Sequence, residues 1–67
     1  MATIILNGEE KQIDNDCSIG QLLQNLNIEN KRLAVEVNME IIPRSEFNSH
    51  LLKDSDKVEI VQAIGGG

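Results

Sequence analysis

The Asn7-Gly8 pair is the feature that most constrains the fold, because it predicts a tight hairpin near the start of the chain. Both central residues of a type I′ turn need positive φ angles, which asparagine and glycine adopt readily. The pair follows the β-rich residues 3–6 and precedes a second extended segment. We therefore predict two antiparallel strands, at residues 3–6 and near residues 11–14.

The next segment, DCSIGQLLQNLNI, has the pattern of a short amphipathic helix. Ser18 is a favourable N-cap, and Gln21, three residues later, completes a capping box. Apolar side chains then recur at helical spacing, at Ile19, Leu22, Leu23 and Leu26. We predict a helix over residues 18–26, which ends near Asn25 and Asn27. Gly20 in the first turn permits close packing against this helix.

The second half of the chain predicts three further strands. Apolar and polar residues alternate over residues 33–38, which indicates a strand with one buried face. A short strand at residues 41–42 is closed by Pro43, because proline lacks the N–H that a strand interior donates. An irregular segment then places Phe47 over one end of the core, and the last strand covers residues 57–63.

These segments predict an α+β fold in which one main helix packs across a mixed sheet of four to five strands. We expect the last strand in the middle of the sheet and parallel to the first, because the helix-containing middle supplies the long crossover that parallel pairing needs. This arrangement is the ubiquitin-like β-grasp fold. The 67 residues are expected to form a single domain, with a flexible C-terminal tail at residues 64–67.

The acidic balance of the chain argues against nucleic acid and membranes as partners. Eleven acidic and six basic residues give a formal net charge of -5, and no basic run occurs. Phosphate backbones and anionic lipid surfaces both attract clustered lysine and arginine. We instead expect a larger protein partner that carries a basic face.

The sequence predicts a cytoplasmic location. Its start, MATIILNGEE, has neither the charged n-region nor the long apolar stretch of a signal peptide. No segment has the apolar length that spans a bilayer. The single cysteine, Cys17, cannot form an internal disulfide, which also favours the cytoplasm.

The last ten residues, VEIVQAIGGG, raise the main functional question. A strand rich in β-branched residues runs directly into Gly65, Gly66 and Gly67. One interpretation is a disordered end without a function. The other is a reactive terminus, because the Gly67 carboxylate is ionised at neutral pH and can attack the α-phosphate of ATP. Glycine suits this role since it has no Cβ to obstruct a narrow channel or the acyl carbon.

Three stretches, ILNGEE, VNMEIIPRSEF and VEIVQAIGGG, resemble the ThiS family of sulfur carriers in the thiazole branch of thiamin biosynthesis, and the similarity extends over essentially the whole chain. The resemblance implies that an E1-like adenylyltransferase (ThiF-like) activates Gly67 with ATP and Mg²⁺, while Gly65 and Gly66 thread into its active site. A sulfur donor system, a cysteine desulfurase or an equivalent, then converts the terminus to a thiocarboxylate. A thiazole synthase (ThiG-like) takes the sulfur from this group.

The same resemblance implies a protein co-substrate rather than an enzyme, monomeric when free, with no catalytic residue, bound cofactor or metal of its own. The alternatives are a MoaD-like carrier for molybdopterin synthesis, a ubiquitin-like protein modifier, and an interaction module with an idle tail. The MoaD family tends to carry prolines just before its final glycines, so Gln62-Ala63-Ile64 favours ThiS. One departure is Asp54-Ser55-Asp56, because relatives often have glycine between the two aspartates.

The face of the predicted sheet that the helix leaves uncovered is a candidate docking surface. Residues alternate between the two faces of a strand. The side chains expected to point toward the helix are Ile4, Leu6, Val58 and Ile60. Those expected to form an aliphatic docking patch near the tail are Ile5, Val61, Ala63 and Ile64, with Glu36 and Glu59 as charged neighbours.

Other side chains with chemical potential are expected to be structural. Cys17 precedes the helix and is expected to be a buried or half-buried small residue rather than a reactive one. His50 is the only histidine, so a catalytic triad or a metal site is not expected. Asp54 and Asp56 lack the glutamate of a calcium loop and predict a turn. For Arg44, a partner contact and a solvated surface position both stay open.

Overall fold

The computed structural model describes residues 1–62, which form two strands, a helix, two strands, a 3₁₀ turn and a last strand. Their bounds are β1 Ala2–Leu6, β2 Glu9–Ile13, α1 Ile19–Asn25, β3 Leu33–Val37, β4 Glu40–Ile42, the 3₁₀ turn Arg44–Glu46 and β5 Lys57–Gln62. The predicted order of elements is confirmed. The predictions for Ala63, Ile64, Gly65, Gly66 and Gly67, and for a flexible tail at 64–67, lie outside the described residues.

The five strands form one mixed sheet in the order β2-β1-β5-β3-β4. The last strand in the chain lies in the middle, parallel to β1 and antiparallel to β3. Its parallel pairing brings Ile5 beside Lys57 and Leu6 beside Val58. The predicted β-grasp arrangement is therefore confirmed, with five strands and one α-helix within residues 1–62.

The first hairpin has the predicted two-residue turn. Asn7 and Gly8 have φ angles of 48° and 86°, as a type I′ turn requires. This turn places Glu9 directly opposite Leu6, so β2 begins at Glu9 rather than near residue 11 and ends at Ile13. Strand β2 therefore starts two residues earlier than predicted, because pairing resumes at once after a turn of this length.

Helix α1 has well-defined ends. The Ser18 hydroxyl accepts a bond from the Gln21 N–H at 3.1 Å, and the Gln21 side chain accepts one from the Ser18 N–H at 3.1 Å, so the predicted capping box is present. At the other end Asn27 has a φ of 60°, and the N–H groups of Asn27 and Ile28 bond carbonyls of the last turn in a Schellman motif. Helix α1 has seven residues, and no helix within residues 1–62 has the length and apolar character needed to cross a membrane.

The start of α1 is tied to the segment that follows β4. The Ile19 N–H donates to the His50 carbonyl at 3.1 Å, and the Gly20 N–H donates to the Phe47 carbonyl at 2.9 Å. A Cβ on Gly20 would collide with the side chain of Asn48. Gly20 therefore permits the close approach that was predicted, and the first N–H groups of the helix are satisfied.

The core lies between α1 and one face of the sheet. Its fully buried members come from α1 and from the three central strands, namely Ile4, Ile19, Leu22, Val35 and Val58. Each such side chain contributes about 1.5–3 kcal/mol relative to an exposed position. Phe47 is also buried in this cluster, as predicted. Helix α1 covers one face of the sheet, and no second helix within residues 1–62 covers the other face.

Candidate docking face and carrier terminus

The side chains of the sheet that point away from α1 form a surface that we call the open face. Its central members are four aliphatic side chains and two glutamates, namely Ile5, Ala34, Ile41, Val61, Glu36 and Glu59. Strand alternation fixes this assignment, because their neighbours Ile4, Val35 and Val58 are fully buried on the helix side.

The register of the strands brings these side chains into rows. Val61 of β5 lies opposite Ala34 of β3. In the next row, Glu59 of β5 lies opposite Glu36 of β3, and Glu36 lies opposite Ile41 of β4. Residues directly opposite each other on antiparallel strands have Cβ atoms about 4.5–5.5 Å apart. The two carboxylates are therefore neighbours, with aliphatic side chains beside them.

A third row contains Ile5 of β1. It lies between Glu10 of β2 and Lys57 of β5. This row thus has one acidic and one basic side chain on either side of an isoleucine, whereas the glutamate row has two acidic ones together. The glutamate row therefore places two acidic side chains side by side, and Lys57 lies on the same face two residues before Glu59 on β5.

Two aliphatic side chains of the open face are largely solvated. Val61 is 62% exposed and Ile41 is 68% exposed, while Ile5 is half-buried. The structure thus places Ile5 and Val61, the two predicted docking residues that it describes, on one uncovered face. Contiguous exposed apolar patches mark interaction sites on small proteins, whereas single exposed aliphatic side chains are ordinary, so docking at this face stays a prediction.

Asn7 fixes the part of β5 that leads toward the glycines. Its side-chain carbonyl accepts a bond from the Ile60 N–H at 2.8 Å, and its side-chain amide donates to the Ile60 carbonyl at 3.3 Å. Beyond the end of β1, the Asn7 side chain therefore supplies the hydrogen bonds that a neighbouring strand would make to Ile60. On the other side β3 pairs with β5 as far as Leu33 and Gln62. The last described residue is thus held within a paired strand.

The Asp54-Ser55-Asp56 segment is a turn, as predicted. Asp54 accepts a bond from the Thr3 N–H at 2.8 Å, and Asp56 accepts bonds from the Lys53 N–H at 2.8 Å and the Asn38 amide at 3.0 Å. Ser55 has a φ of 74°, so serine adopts here the left-handed conformation that glycine adopts at the lowest cost. The carboxylates hold this turn against β1 and the β3–β4 hairpin.

Cys17 is buried, as predicted, and its thiol donates to the Ser18 carbonyl at 3.4 Å. Burial raises the pKa of the Cys17 thiol above its usual value, and the nearby Asp14 carboxylate raises it further. A reactive cysteine needs the opposite shift, because the thiolate is the nucleophile. Cys17 is thus a poor candidate for sulfur chemistry.

The other two singled-out side chains make contacts within the domain. His50 is half-buried, and its backbone carbonyl supports the start of α1. The Arg44 guanidinium donates to the Lys31 carbonyl at 3.3 Å and lies 6.0 Å from the centre of the Phe47 ring. Arg44 therefore helps to close the end of the core over Phe47. Among residues 1–62, no group of three His, Cys, Asp or Glu side chains is placed to hold a metal ion.

Sequence reasoning missed two members of the open face, Ala34 and Ile41. Alternation along β3 is sufficient to place Ala34 outward, since Val35 is buried. For Ile41-Ile42 the pattern gives no direction, because both residues are isoleucine. The pairing of Ile42 with Val35 across β3 and β4 puts Ile42 in the core and Ile41 outside.

Two proteins of known name and one solved structure are similar to this chain. The sulfur carrier protein ThiS of Bacillus subtilis (strain 168) is 40% identical over 63 residues, which are 92% of this chain and 96% of that protein. A thiazole synthase of Paramagnetospirillum magneticum is 39% identical over 64 residues, 96% of this chain, but the chain spans only 20% of its length. The crystal structure of the thiamine biosynthesis protein ThiS from Geobacter metallireducens superposes with a TM-score of 0.79 at 29% identity, covering 97% of this chain and 99% of that one.

The sequence profile of the ThiS family matches residues 4–67. This range includes the whole sheet beyond Thr3, the helix and the glycines, so the match is not confined to one motif. The chain therefore belongs to the ThiS family.

Proposed function

We propose that this protein is a sulfur carrier for the thiazole branch of thiamin biosynthesis and is a co-substrate of its partner enzymes. The observation that supports this most strongly is the match, over nearly its full length, to a Bacillus subtilis protein named a sulfur carrier. Thiazole synthase, adenylyltransferase and sulfur donor would supply the catalytic groups. The carrier would supply a reactive terminus at Gly67 and a surface that places it.

In the proposed reaction a terminal oxygen of Gly67 attacks the α-phosphate of ATP, and pyrophosphate leaves. The resulting acyl adenylate is then attacked at its carbonyl carbon by a persulfide sulfur of the donor system, and AMP leaves. A thiol reduces the acyl disulfide to the thiocarboxylate and is itself oxidised to a disulfide. ATP and Mg²⁺ belong to the activating enzyme in this scheme.

The support of β5 on both sides gives the proposed terminus a firm origin. Gln62 pairs with Leu33, and Ile60 is bonded by Asn7, so β5 is held close to the glycines. Five residues follow Gln62 in the sequence. Extended, they span at most about 16–18 Å. A partner that binds the open face must therefore have its catalytic channel within that distance of the end of β5.

The proposed partners follow from the same comparisons. A relative named thiazole synthase contains, within one chain, a segment 39% identical to this protein. A thiazole synthase is therefore proposed as the acceptor of the sulfur. An E1-like adenylyltransferase and a cysteine desulfurase or equivalent are proposed from the chemistry that the terminus needs.

Intact-mass spectrometry tests the proposal. The chain is incubated with the purified adenylyltransferase and sulfur donor of the same organism, with ATP and Mg²⁺. We expect a mass gain equal to the replacement of one oxygen by one sulfur, mapped to Gly67 by fragmentation, and no gain when ATP is omitted.

One variant lacks Gly67 and a second carries an extra alanine after it. Both are expected to keep the circular dichroism spectrum of the natural chain and to lose the gain. Loading of either variant at the natural rate, or a natural chain that stays unloaded with active partners, would contradict the proposal.

A further inference from the structure

We propose that the open face docks on the thiazole synthase partner through an arginine of that partner, which is received between Glu36 and Glu59 and surrounded by aliphatic contacts to Ile41, Ala34 and Val61. This inference rests on the proposed function for the identity of the partner. It goes further in naming the two carboxylates and the chemistry that they recognise.

The position of the two glutamates lowers the stability of the isolated chain. Glu36 and Glu59 are directly opposed on β3 and β5. Like charges in this relation destabilise a sheet, because the carboxylates repel each other across the strands. Of the eleven acidic side chains, Asp54 and Asp56 alone accept side-chain hydrogen bonds within residues 1–62, so no hydrogen-bond donor there offsets the charges of Glu36 and Glu59. A cation from outside would remove the repulsion.

The spacing of this pair suits a guanidinium group. Directly opposed residues on adjacent strands have Cβ atoms about 5 Å apart, so both carboxylates lie near each other on the same side of the sheet. Arginine carries five donors in a planar fork and remains charged at all relevant pH values. It is also more weakly hydrated than lysine, so it tolerates the aliphatic surroundings better.

Two exposed aliphatic side chains flank the acidic pair. Val61 and Ile41 are 62% and 68% exposed, and they lie beside the acidic pair. Burial of these side chains by a partner would exclude water from the ion pair, as apolar rims do at interface hot spots. In the Ile5 row, by contrast, Glu10 and Lys57 have opposite charges, and Lys57 also lies two residues from Glu59 on the same face of β5, where it offsets part of that charge. The net negative charge of the face thus points to the glutamate row as the place for a cation.

A second copy of this chain is a poor occupant for the same surface. Two open faces brought together would oppose four carboxylates, and the chain as a whole carries a net charge of -5. The partner must therefore be a different protein with positive charge where it covers this row.

The test is a binding titration between the full chain and the purified thiazole synthase of the same organism, by calorimetry at low and moderate salt. The double variant Glu36→Gln and Glu59→Gln keeps side-chain shape and removes both charges. Its matched control, Glu29→Gln and Glu46→Gln, removes two charges from exposed positions outside the sheet. We expect Kd to rise about tenfold or more for the first pair, as for loss of a buried charged partner, and by less than about twofold for the control.

A second measurement separates docking from stability. The midpoint of urea unfolding is expected to rise for Glu36→Gln with Glu59→Gln, because the repulsion is gone, even though binding weakens. An unchanged Kd for this double variant, or an equal loss for the control pair, overturns the inference. So does weakened binding to the adenylyltransferase alone, or a dimer in sedimentation velocity that the variant dissociates.

The proposed function can fail separately from this inference. If Gly67 gains sulfur but the natural chain does not bind the synthase, the docking inference is wrong and the carrier function stands. If Gly67 gains no sulfur while the glutamate pair controls binding to the synthase, the carrier function is wrong and the docking inference stands.

Discussion

At the scale of single residues, several positions other than glycine adopt the left-handed backbone conformation, which costs energy for residues that carry a Cβ. Several are occupied by asparagine, which adopts positive φ at modest cost, as at Asn7, Asn27 and Asn38. Met39 is different. It has a φ of 71° in the β3–β4 turn and is 91% exposed, so packing within residues 1–62 does little to compensate for the backbone strain.

The variant Met39→Gly is therefore expected to stabilise the domain by up to about 1 kcal/mol. Glycine completes an Asn-Gly pair of the kind that the first hairpin already uses, and it removes the contact between Cβ and the carbonyl oxygen. Urea unfolding followed by circular dichroism measures the change. Met39→Ala is the control, because it retains Cβ and should show no such gain. A loss of stability on Met39→Gly would mean that the methionine side chain contributes to the fold.

Residues with local partners could be predicted from the sequence, and those with distant partners could not. The capping box joins Ser18 to Gln21, three positions apart, and its pattern is visible in the sequence. The left-handed Ser55 depends on bonds from the turn to Thr3, which is more than fifty positions away. No residue near Ser55 in the sequence indicates those bonds, so the left-handed conformation of Ser55 could not be predicted from the local pattern.

At the scale of elements, the support of β5 is the feature that connects fold and proposed function. Strand β1 pairs with β5 over only two register positions, Ile5 with Lys57 and Leu6 with Val58. The Asn7 side chain extends this contact by bonding both backbone groups of Ile60. A turn residue thus has two roles, since the same asparagine provides the positive φ of the first hairpin.

We expect Asn7→Gly to destabilise the domain by about 1–2 kcal/mol through the loss of these two bonds. Glycine keeps the left-handed turn, so the change isolates the side chain. Amide hydrogen exchange should become faster at Ile60. Asn7→Asp retains the acceptor for the Ile60 N–H and is expected to be intermediate, and Asn30→Ala, in an exposed turn, serves as the control. Unchanged exchange at Ile60 in Asn7→Gly would show that the side chain does not hold the strand.

The existence of each element was predictable, but some bounds and one orientation were not. Hydrophobic alternation placed Ile4 and Val58 in the core and Ile5 and Val61 outside, and the structure agrees. The start of β2 depends on how soon pairing resumes after the turn. Glu9 and Glu10 have low strand propensity, so the sequence does not show that they pair with β1. The outward direction of Ile41 was fixed only by pairing with β3.

At the scale of the whole molecule, a single helix on one side of a five-stranded sheet leaves little reserve of stability. The parallel position of β5 was predictable, because a crossover that contains a helix permits few other topologies. A domain of 67 residues is expected to have an unfolding free energy of about 3–10 kcal/mol. Much of it must come from the side chains between helix and sheet, since the open face is uncovered.

This dependence on a small core predicts that Leu22→Ala removes much of the stability. Leu22 is fully buried in α1, and a change of this kind costs about 3–5 kcal/mol because it leaves a cavity that neighbours fill only in part. Leu51→Ala is the matched control, since Leu51 is 46% exposed and should change stability by about 0.5 kcal/mol or less. Urea unfolding at 25 °C measures both. Binding to the proposed thiazole synthase partner should restore part of the lost stability of Leu22→Ala by mass action, because a partner at 100 times its Kd contributes about 2.7 kcal/mol to the folded state. A Leu22→Ala variant as stable as the natural chain would mean that the core between α1 and the sheet does not hold this fold together.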